Sequence, residues 1–190
     1  LGLMPRAAAH YVEAELRAWE TQAVLGHHPV EGTQTPETHR PWYRYHECLR
    51  GPLARLTGAL EPEVVAMNSL TVNLHLLMAT FFQPSASRFK ILIEDPIFPS
   101  DLYAVETQLA HHGLDARSAL IRVSPPPGQD LIREDDLEAA IEREGATLAL
   151  VLLGGVNFLT GQRFDLARIA GAAHRVGATV GFDLAHSIGN

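Results

Sequence analysis

Short apolar runs alternate with longer amphipathic runs over most of the second half of the chain. The strand-like runs lie at residues 90–94, 119–123, 148–153 and 178–182, and helical runs lie between them near 100–112, 134–144 and 165–176. Strands that alternate with helices are typical of βαβ units and of a mainly parallel sheet. The pattern therefore predicts an α/β fold.

The first part of the chain is predicted to be helical. Apolar residues at three- and four-residue spacing after Pro5 predict an amphipathic helix over residues 5–24, and a second one is predicted over 45–57. Residues 26–41 follow neither period and are rich in His, Pro, Gly and Thr. Structureless stretches of this length are usually functional loops or disordered segments.

Residues 68–71 are predicted to open a helix. They follow a short apolar segment at 64–67, predicted to be buried, and precede an apolar helical run over 72–82. A helix start with hydroxyl side chains offers free N–H groups and a positive dipole end to an anion. Ser and Thr are also good N-caps, so capping alone is an alternative explanation.

Composition narrows the classes of protein that this chain can represent. Its 190 residues are 46% apolar and 19% charged, which is typical of a folded domain. A net charge of −7, with Lys90 as the only lysine, disfavours nucleic acid and anionic membranes as partners. No apolar run reaches the length of a membrane span. Cys48 is the only cysteine, which excludes an internal disulfide and fits a reducing, cytoplasmic location.

Three predicted loops converge at one edge of the predicted sheet. With right-handed crossovers, the segments 95–101, 154–161 and 183–186 all follow strands and gather where open α/β sheets bind ligands. A flat, phosphorylated ring containing nitrogen would use everything that this edge offers. The helix start would hold the phosphate, Phe98 would cover a ring face, and Asp183 would keep a ring nitrogen protonated, as pyridoxal phosphate enzymes require.

Each of these residues also has a simpler interpretation. Asp183 could only cap the turn that follows it, Phe98 could belong to the core, and His186 could be a structural, hydrogen-bonded histidine. The ten histidines show no metal-ligand spacing, so no metal site is expected. The glycine motifs of dinucleotide-binding, P-loop and serine hydrolase sites do not occur in the sequence.

Four segments together resemble the kynureninase family, pyridoxal phosphate hydrolases of the fold type I (aspartate aminotransferase-like) group. They are GFDLAHSIGN at 181–190, NSLTVNLHLLM at 68–78, FPSD at 98–101 and GVNFLTGQ at 155–162. The resemblance extends over essentially the whole chain. It implies that residues 61–190 belong to an incomplete large cofactor-binding domain, and that residues 1–60 form an N-terminal helical segment with an active-site loop.

The resemblance also implies a set of residues around pyridoxal 5'-phosphate. Leu70 and Thr71 would bind its phosphate end, Asp183 would pair with the pyridinium nitrogen, and His186 would support the cofactor. Phe98 would stack on the ring, and Asp101, near the ring, would help proton transfer. The full implied cofactor set is Leu70, Thr71, Phe98, Pro99, Ser100, Asp101, Gly154, Asp183 and His186.

Two positions depart from the family pattern. Gly154 stands where many relatives have a serine, so that a hydroxyl contact to the phosphate is lost or replaced by a backbone N–H. A substrate-binding histidine precedes an Arg-Pro-Trp sequence in relatives, and here His39, His28 and His27 compete for that place. Of these, His39 is the candidate substrate contact.

The family's Schiff-base lysine has no counterpart among these residues. In relatives it lies several dozen residues beyond the Asp-Leu-Ala-His motif, whereas Lys90 precedes an apolar strand and is predicted to be solvated. We therefore expect an internal fragment of a longer enzyme, a reading that the lack of an initiator methionine also favours. Alone, such a fragment could not form the covalent link on which this catalysis depends.

The activity that the resemblance implies for the parent is hydrolysis of L-kynurenine, or of 3-hydroxykynurenine, in tryptophan catabolism. The products would be L-alanine and anthranilate or 3-hydroxyanthranilate, and the parent would be a cytoplasmic homodimer. Two alternatives stay open. One is another class V-type pyridoxal phosphate enzyme, such as a cysteine desulfurase, and the other is a non-catalytic module derived from such an enzyme.

Overall fold

The computed structural model describes residues 3–28 and 41–189. The chain divides into two compact units, Leu1–Met67 and Asn68–Asn190. The boundary predicted after residue 60, between the N-terminal helical segment and the cofactor-binding domain, stays a prediction. No helix within the described residues is both long enough and apolar enough to cross a membrane.

The first unit is made of short helices. Helix α1 spans Ala8–Gln22 and continues into a 3₁₀ helix at Ala23–His27. A second 3₁₀ helix covers Trp42–Glu47, helix α2 covers Arg50–Thr57, and a 3₁₀ turn covers Glu61–Glu63. Only two residues of α1 are buried, Ala14 and Ala18, so its larger apolar side chains remain exposed within the described residues.

Two predictions for this unit are wrong. The single helix predicted over 45–57 is broken, since Pro52 lies in the first turn of α2 and a proline cannot continue a helix that enters from its amino-terminal side. The segment 64–67, predicted to be buried, exposes Val65 by 51% and Met67 by 49%. Within the part of the chain that the structure describes, it forms no strand and so has no place in the buried sheet.

The second unit contains a four-stranded sheet in which every pair of neighbouring strands is parallel. The strands are β1 (Lys90–Glu94), β2 (Leu120–Val123), β3 (Leu148–Gly154) and β4 (Thr179–Asp183), in the order β2-β1-β3-β4. The predicted α/β class and the parallel sheet are confirmed. The predicted strand bounds agree with these within one residue at either end.

Helices cover both faces of the sheet. They are α3 (Leu70–Phe81), α4 (Pro99–His111), α5 (Ala116–Ala119), α6 (Glu134–Glu144) and α7 (Leu166–Arg175). Side chains of a strand alternate between the faces. Ile91 and Ile93 accordingly pack with α3 and α4, whereas Leu92 packs in the second core cluster, with α6 and α7. Only the one-turn α5 had no counterpart in the sequence pattern.

The strand order creates a switch point between β1 and β3. The chain passes from β1 to β2 on one side and then places β3 on the other side of β1. In open α/β sheets, ligands bind at the carboxyl ends of strands where the order reverses in this way. The carboxyl ends of β1 and β3 are Glu94 and Gly154.

Candidate functional site

Glu94 lies at the switch point and joins β1 to β3. Its side chain is only 2% exposed. The backbone N–H of Gly154 donates to both carboxyl oxygens, Oε1 at 3.0 Å and Oε2 at 3.1 Å. Burial raises the pKa of Glu94 to about 7, because the Gly154 hydrogen bond offsets only part of the desolvation and the Asp183 charge adds to it.

Asp101 lies in the first turn of α4 and is 3% exposed. Its carboxyl group lies beside that of Asp183, and the Ser100 hydroxyl donates to Asp101 Oδ1 at 3.3 Å. Burial, then the Asp183 contact, raises the pKa of Asp101 to about 7, with a smaller contribution from Glu94. Near neutral pH the carboxyl group of Asp101 can therefore hold a proton.

Asp183 is the last residue of β4 and is half-buried. Its Oδ1 accepts the backbone N–H of Ala185 at 2.8 Å, so it does cap the following turn. Its carbonyl oxygen accepts the N–H of Gly155 at 2.8 Å, which joins the turn to the end of β3. Asp183 therefore caps the turn, and the same carboxyl group also lies beside Asp101. Capping is thus not its only contact.

Phe98 lies beside His186 and Phe158. The ring centroids of Phe98 and His186 are 6.2 Å apart, and those of Phe98 and Phe158 are 5.2 Å apart in an edge-to-face arrangement. Phe98 is 43% exposed, so the alternative that it belongs to the core is wrong. Pro99 follows it as the first residue of α4, and the exposed His186 follows the Asp183 turn.

Leu70 and Thr71 are the first two residues of α3, and both are exposed. The N-cap residue Ser69 has an extended backbone, and its side chain accepts no hydrogen bond from the first turn. Instead, the side chain of Asn73 bonds the backbone N–H and carbonyl of Asn68 at 3.1 and 3.2 Å. Capping by a hydroxyl group therefore does not account for this helix start.

Helices α3 and α4 run in the same direction. His75 Nδ1 lies 3.1 Å from Gln108 Nε2, and further along both helices the rings of Phe82 and His112 meet edge to face. Since α4 begins just after β1 ends, both helices start on the side of the sheet where the strands end. The helix start at Leu70 thus faces the same side as Asp101.

Asn157 holds the loop after β3 against the loop after β1. Its side chain is 3% exposed, and Nδ2 donates to the carbonyl of Pro96 at 2.8 Å. Its Oδ1 accepts the N–H groups of Leu159 and Thr160, both at 3.1 Å. Sequence reasoning assigned no role to Glu94 or Asn157. A polar residue at or just beyond the end of a buried apolar strand is the signal that could have found both.

Of the remaining candidate residues, Lys90 lies away from this edge, and the three histidines belong to the first unit or lie outside the described residues. Lys90 begins β1, at the opposite edge of the sheet, and its Nζ is 2.8 Å from Glu144 Oε2. Its side chain is 20% exposed, so the prediction of a solvated lysine is wrong: a carboxylate and the strand start cover most of it. His39 lies outside the described residues. His27 and His28 belong to the first unit, where their rings contact Trp42 and Tyr43.

The acidic side chains at this edge are not arranged as the ligands of a metal ion. Within residues 3–28 and 41–189, no set of three or more His, Cys, Asp or Glu side chains is arranged to hold a metal ion. The edge instead combines two buried carboxyl groups, a half-buried carboxylate, an exposed aromatic ring and a helix start. The donors and acceptors suit an organic ligand with an anionic end.

Known proteins resemble this chain over its whole length. No family model matches it. It is 50% identical over 190 residues to kynureninases of Myxococcus xanthus and Salinispora tropica, and 48% identical over 200 aligned residues to a kynureninase of Monosiga brevicollis. All of this chain is matched in each case, and it spans 43%, 42% and 42% of these relatives. The chain is therefore homologous to kynureninases but spans less than half of their length.

Solved structures show the same fold. A C-DES mutant with glycine covalently linked to its PLP cofactor matches 98% of this chain with a TM-score of 0.70 and 18% identity. The cysteine desulfurase CsdA from Escherichia coli matches 95% with a TM-score of 0.65 and 21% identity. This chain covers 45% and 42% of those two chains. The predicted assignment to part of an aspartate aminotransferase-like fold is confirmed.

Proposed function

We propose that this chain is part of a kynureninase, and that the protein holding it hydrolyses L-kynurenine or 3-hydroxykynurenine. The products would be L-alanine and anthranilate or 3-hydroxyanthranilate. The observation that carries the proposal is the identity of about one half to curated kynureninases over all 190 residues. The site geometry supports it independently, because the matched motifs converge at one edge of the sheet.

The residues at this edge fit pyridoxal phosphate. The uncapped start of α3 at Leu70 and Thr71 would hold the phosphate through backbone N–H groups and the helix dipole. Asp183 offers a carboxylate to a ring nitrogen, and the exposed ring of Phe98 offers a face for stacking. When bound, the protonated pyridine ring would draw electrons from the substrate bond that breaks.

The chain's own side chains would then hold the ring and its proton. Asp183 would keep the ring nitrogen protonated while its second link, to Ala185, fixes the carboxylate. Asp101 would keep a proton on its own carboxyl group and donate a hydrogen bond to Asp183. The Ser100 hydroxyl donates a hydrogen bond to Asp101 Oδ1 and helps to fix its position. Phe98 and His186 would shield the ring from water. Gly154 would stand near the phosphate side without a hydroxyl group.

Other parts of the proposal concern the whole protein. Lys90 is paired with Glu144 at the opposite edge of the sheet, so it is not placed to serve the cofactor. The essential lysine would come from the length of the relatives that this chain does not span. The substrate contact of His39, a cytoplasmic location and a homodimer also belong to the proposal. A cysteine desulfurase is the second candidate, because solved desulfurases share the fold.

The test uses a protein of the relatives' length that contains this chain, purified with pyridoxal phosphate. Kynurenine and 3-hydroxykynurenine are supplied separately, and anthranilate or its hydroxylated form is measured by fluorescence. Sulfide release from cysteine is measured in parallel. We expect aryl product and no sulfide. Sulfide without anthranilate would establish the desulfurase instead, and a folded protein with neither activity would favour the non-catalytic module.

A matched pair of variants connects the activity to this site. Asp183→Ala should lower kcat by about a hundredfold or more, the scale expected when a polar group that stabilises the transition state is lost. Asp115→Ala removes a carboxylate that caps α5 by accepting the N–H of Arg117, at a distance of 3.0 Å. This control should leave kcat near wild type, because losing a cap away from the site lowers stability and not catalysis.

A further inference from the structure

Glu94 is a buried carboxyl group that the proposed reaction does not use. We infer that Glu94 is a positioning residue, which fixes the backbone of Gly154 and Gly155 and thereby the turn that carries Asp183. The placement of the backbone stands on the structure alone. Only the consequence for the cofactor rests on the proposed function.

The first step is the link from β1 to β3. The backbone register between these strands runs as far as Ile93 and Leu152. Beyond that pair, the side chain of Glu94 takes over, since both of its oxygens accept the Gly154 N–H at 3.0 and 3.1 Å. A Cβ atom at Gly154 would lie 3.0 Å from Oε1. The carboxyl group therefore lies directly against the backbone of β3.

The second step is the link from β3 to the Asp183 turn. The N–H of Gly155 donates to the carbonyl oxygen of Asp183 at 2.8 Å. A Cβ atom at Gly155 would lie 2.7 Å from Leu184 Cδ2 and would collide with the Ser187 hydroxyl as well. Because no space remains between Gly155 and the turn, the place of the Gly155 backbone determines the place of Asp183.

The third step concerns charge. The charged group that acts on Glu94 is Asp183, and Glu94 acts in turn on Asp101. A carboxyl group buried beside two other acids is unfavourable unless it is protonated or well hydrogen-bonded. An amide in its place would keep an acceptor for Gly154 and would carry no charge. The two properties of Glu94 can therefore be separated by substitution.

The first measurement is amide exchange by NMR in the cofactor-free protein. Glu94→Ala should speed the exchange of the Gly154 and Gly155 amides by up to about tenfold, the scale of losing one buried intramolecular hydrogen bond. Glu94→Gln should restore the exchange to within about threefold of wild type, because its amide oxygen still accepts. Glu144→Ala, which removes the partner of Lys90 at the opposite edge, should leave both amides unchanged.

The second measurement is the dissociation constant for pyridoxal phosphate in a protein that contains this chain and is as long as its kynureninase relatives. Glu94→Ala should weaken binding by about tenfold, and Glu94→Gln should stay near wild type. Should Glu94→Ala fail to fold, Glu94→Asp takes its place, since its carboxyl group is one methylene too short to reach Gly154. Unchanged exchange in the alanine or aspartate variant, or a glutamine variant as impaired as alanine, overturns the inference. If the variants show the expected exchange rates but the wild-type protein does not bind pyridoxal phosphate, the proposed function is refuted and the positioning role of Glu94 stands.

Discussion

The carboxyl group of Asp101 lies beside that of Asp183 at the edge of the sheet where the strands end. Two ionised carboxylates repel each other, so this proximity favours a proton on Asp101. Asp101 is the more buried of the two, and its pKa is raised to about 7. The Oδ1 atom of Asp183 also accepts the Ala185 N–H. The pair thus places a carboxyl group that can keep a proton near neutral pH beside a second, turn-capping carboxyl group.

The raised pKa of Asp101 predicts how stability depends on pH. The unfolded carboxyl group loses its proton near pH 4, whereas the folded one keeps it to about pH 7. The folded state therefore binds more protons in this window, and stability should fall as pH rises from 5 to 7. The contribution is on the order of 1 kcal/mol for each pH unit over which only the folded form stays protonated.

The Asp101→Asn variant isolates this effect, because an amide cannot titrate but can still donate to Asp183. Urea unfolding followed by circular dichroism at pH 5 and pH 7 measures it. We expect a smaller loss of stability between these pH values in the variant, with a residual slope from Glu94, whose pKa is raised in the same direction. An identical slope in variant and wild type would show that Asp101 does not hold the proton.

Gly155→Ala should destabilise the site edge. The added Cβ would lie 2.7 Å from Leu184 Cδ2, so the Asp183 turn would have to move. We expect a loss of about 1–3 kcal/mol in the free energy of unfolding, as for other overpacked positions. Gly171→Ala in α7 is the control, because its Cβ would meet only Arg175 Nη1, at 3.7 Å. That change should stabilise the helix by up to about 1 kcal/mol. Equal effects of the two changes would contradict the packing described.

Asn157→Ala should loosen the loop after β3. The change leaves the carbonyl of Pro96 and the N–H groups of Leu159 and Thr160 without their partner. A loss of about 1–3 kcal/mol is expected, because three part-buried hydrogen bonds of about 1 kcal/mol each are removed. Gln83→Ala removes an exposed amide that bonds carbonyls in the last turn of the preceding helix, α3, and it should cost less than about 0.5 kcal/mol. Chemical unfolding of both variants provides the comparison.

Arg88→Ala should weaken the amino-terminal edge of the sheet. Its guanidinium group donates to the carbonyl of Leu148 and, at 2.9 Å, to that of Val176, which joins β3 to the end of α7. We expect a loss of about 1–3 kcal/mol, since both hydrogen bonds are partly buried and charged. Arg117→Ala removes a side chain that is 91% exposed and should change stability by less than about 0.5 kcal/mol. A larger fall in melting temperature for Arg117→Ala than for Arg88→Ala would contradict this prediction.

The sheet could be predicted from the sequence because its information is local. Each strand is an apolar run of its own, and each connecting helix has its own period. The failures occur where a local pattern is overruled. Pro52 divides the helix predicted over 45–57, and the apolar segment 64–67 has no partner strand to bury it. A periodicity records only where apolar residues recur along a segment. It contains no information about the partners that the segment will find in the fold.

The candidate site could be predicted only in part. Phe98, Asp101 and Asp183 follow strand ends, so their convergence follows from the parallel sheet. The burial of Glu94 does not, because it depends on the strand order, which puts β3 beside β1 and aims the Gly154 N–H at the carboxyl group. Strand order arises from contacts distant in sequence. It leaves no signal in any single segment.

The position of β4 in the strand order affects how the chain behaves at high concentration. Within residues 3–28 and 41–189, β4 pairs with β3 along one side only, and all five of its residues are half-buried. An unpaired strand edge is a template for further strands, including those of another molecule. In a preparation of this chain alone, aggregation can therefore begin at β4, as it can at β2, the other end strand of the sheet. Val180 packs against the core, so a lysine in place of its neighbour Thr179, which is on the other face of the strand, should raise solubility.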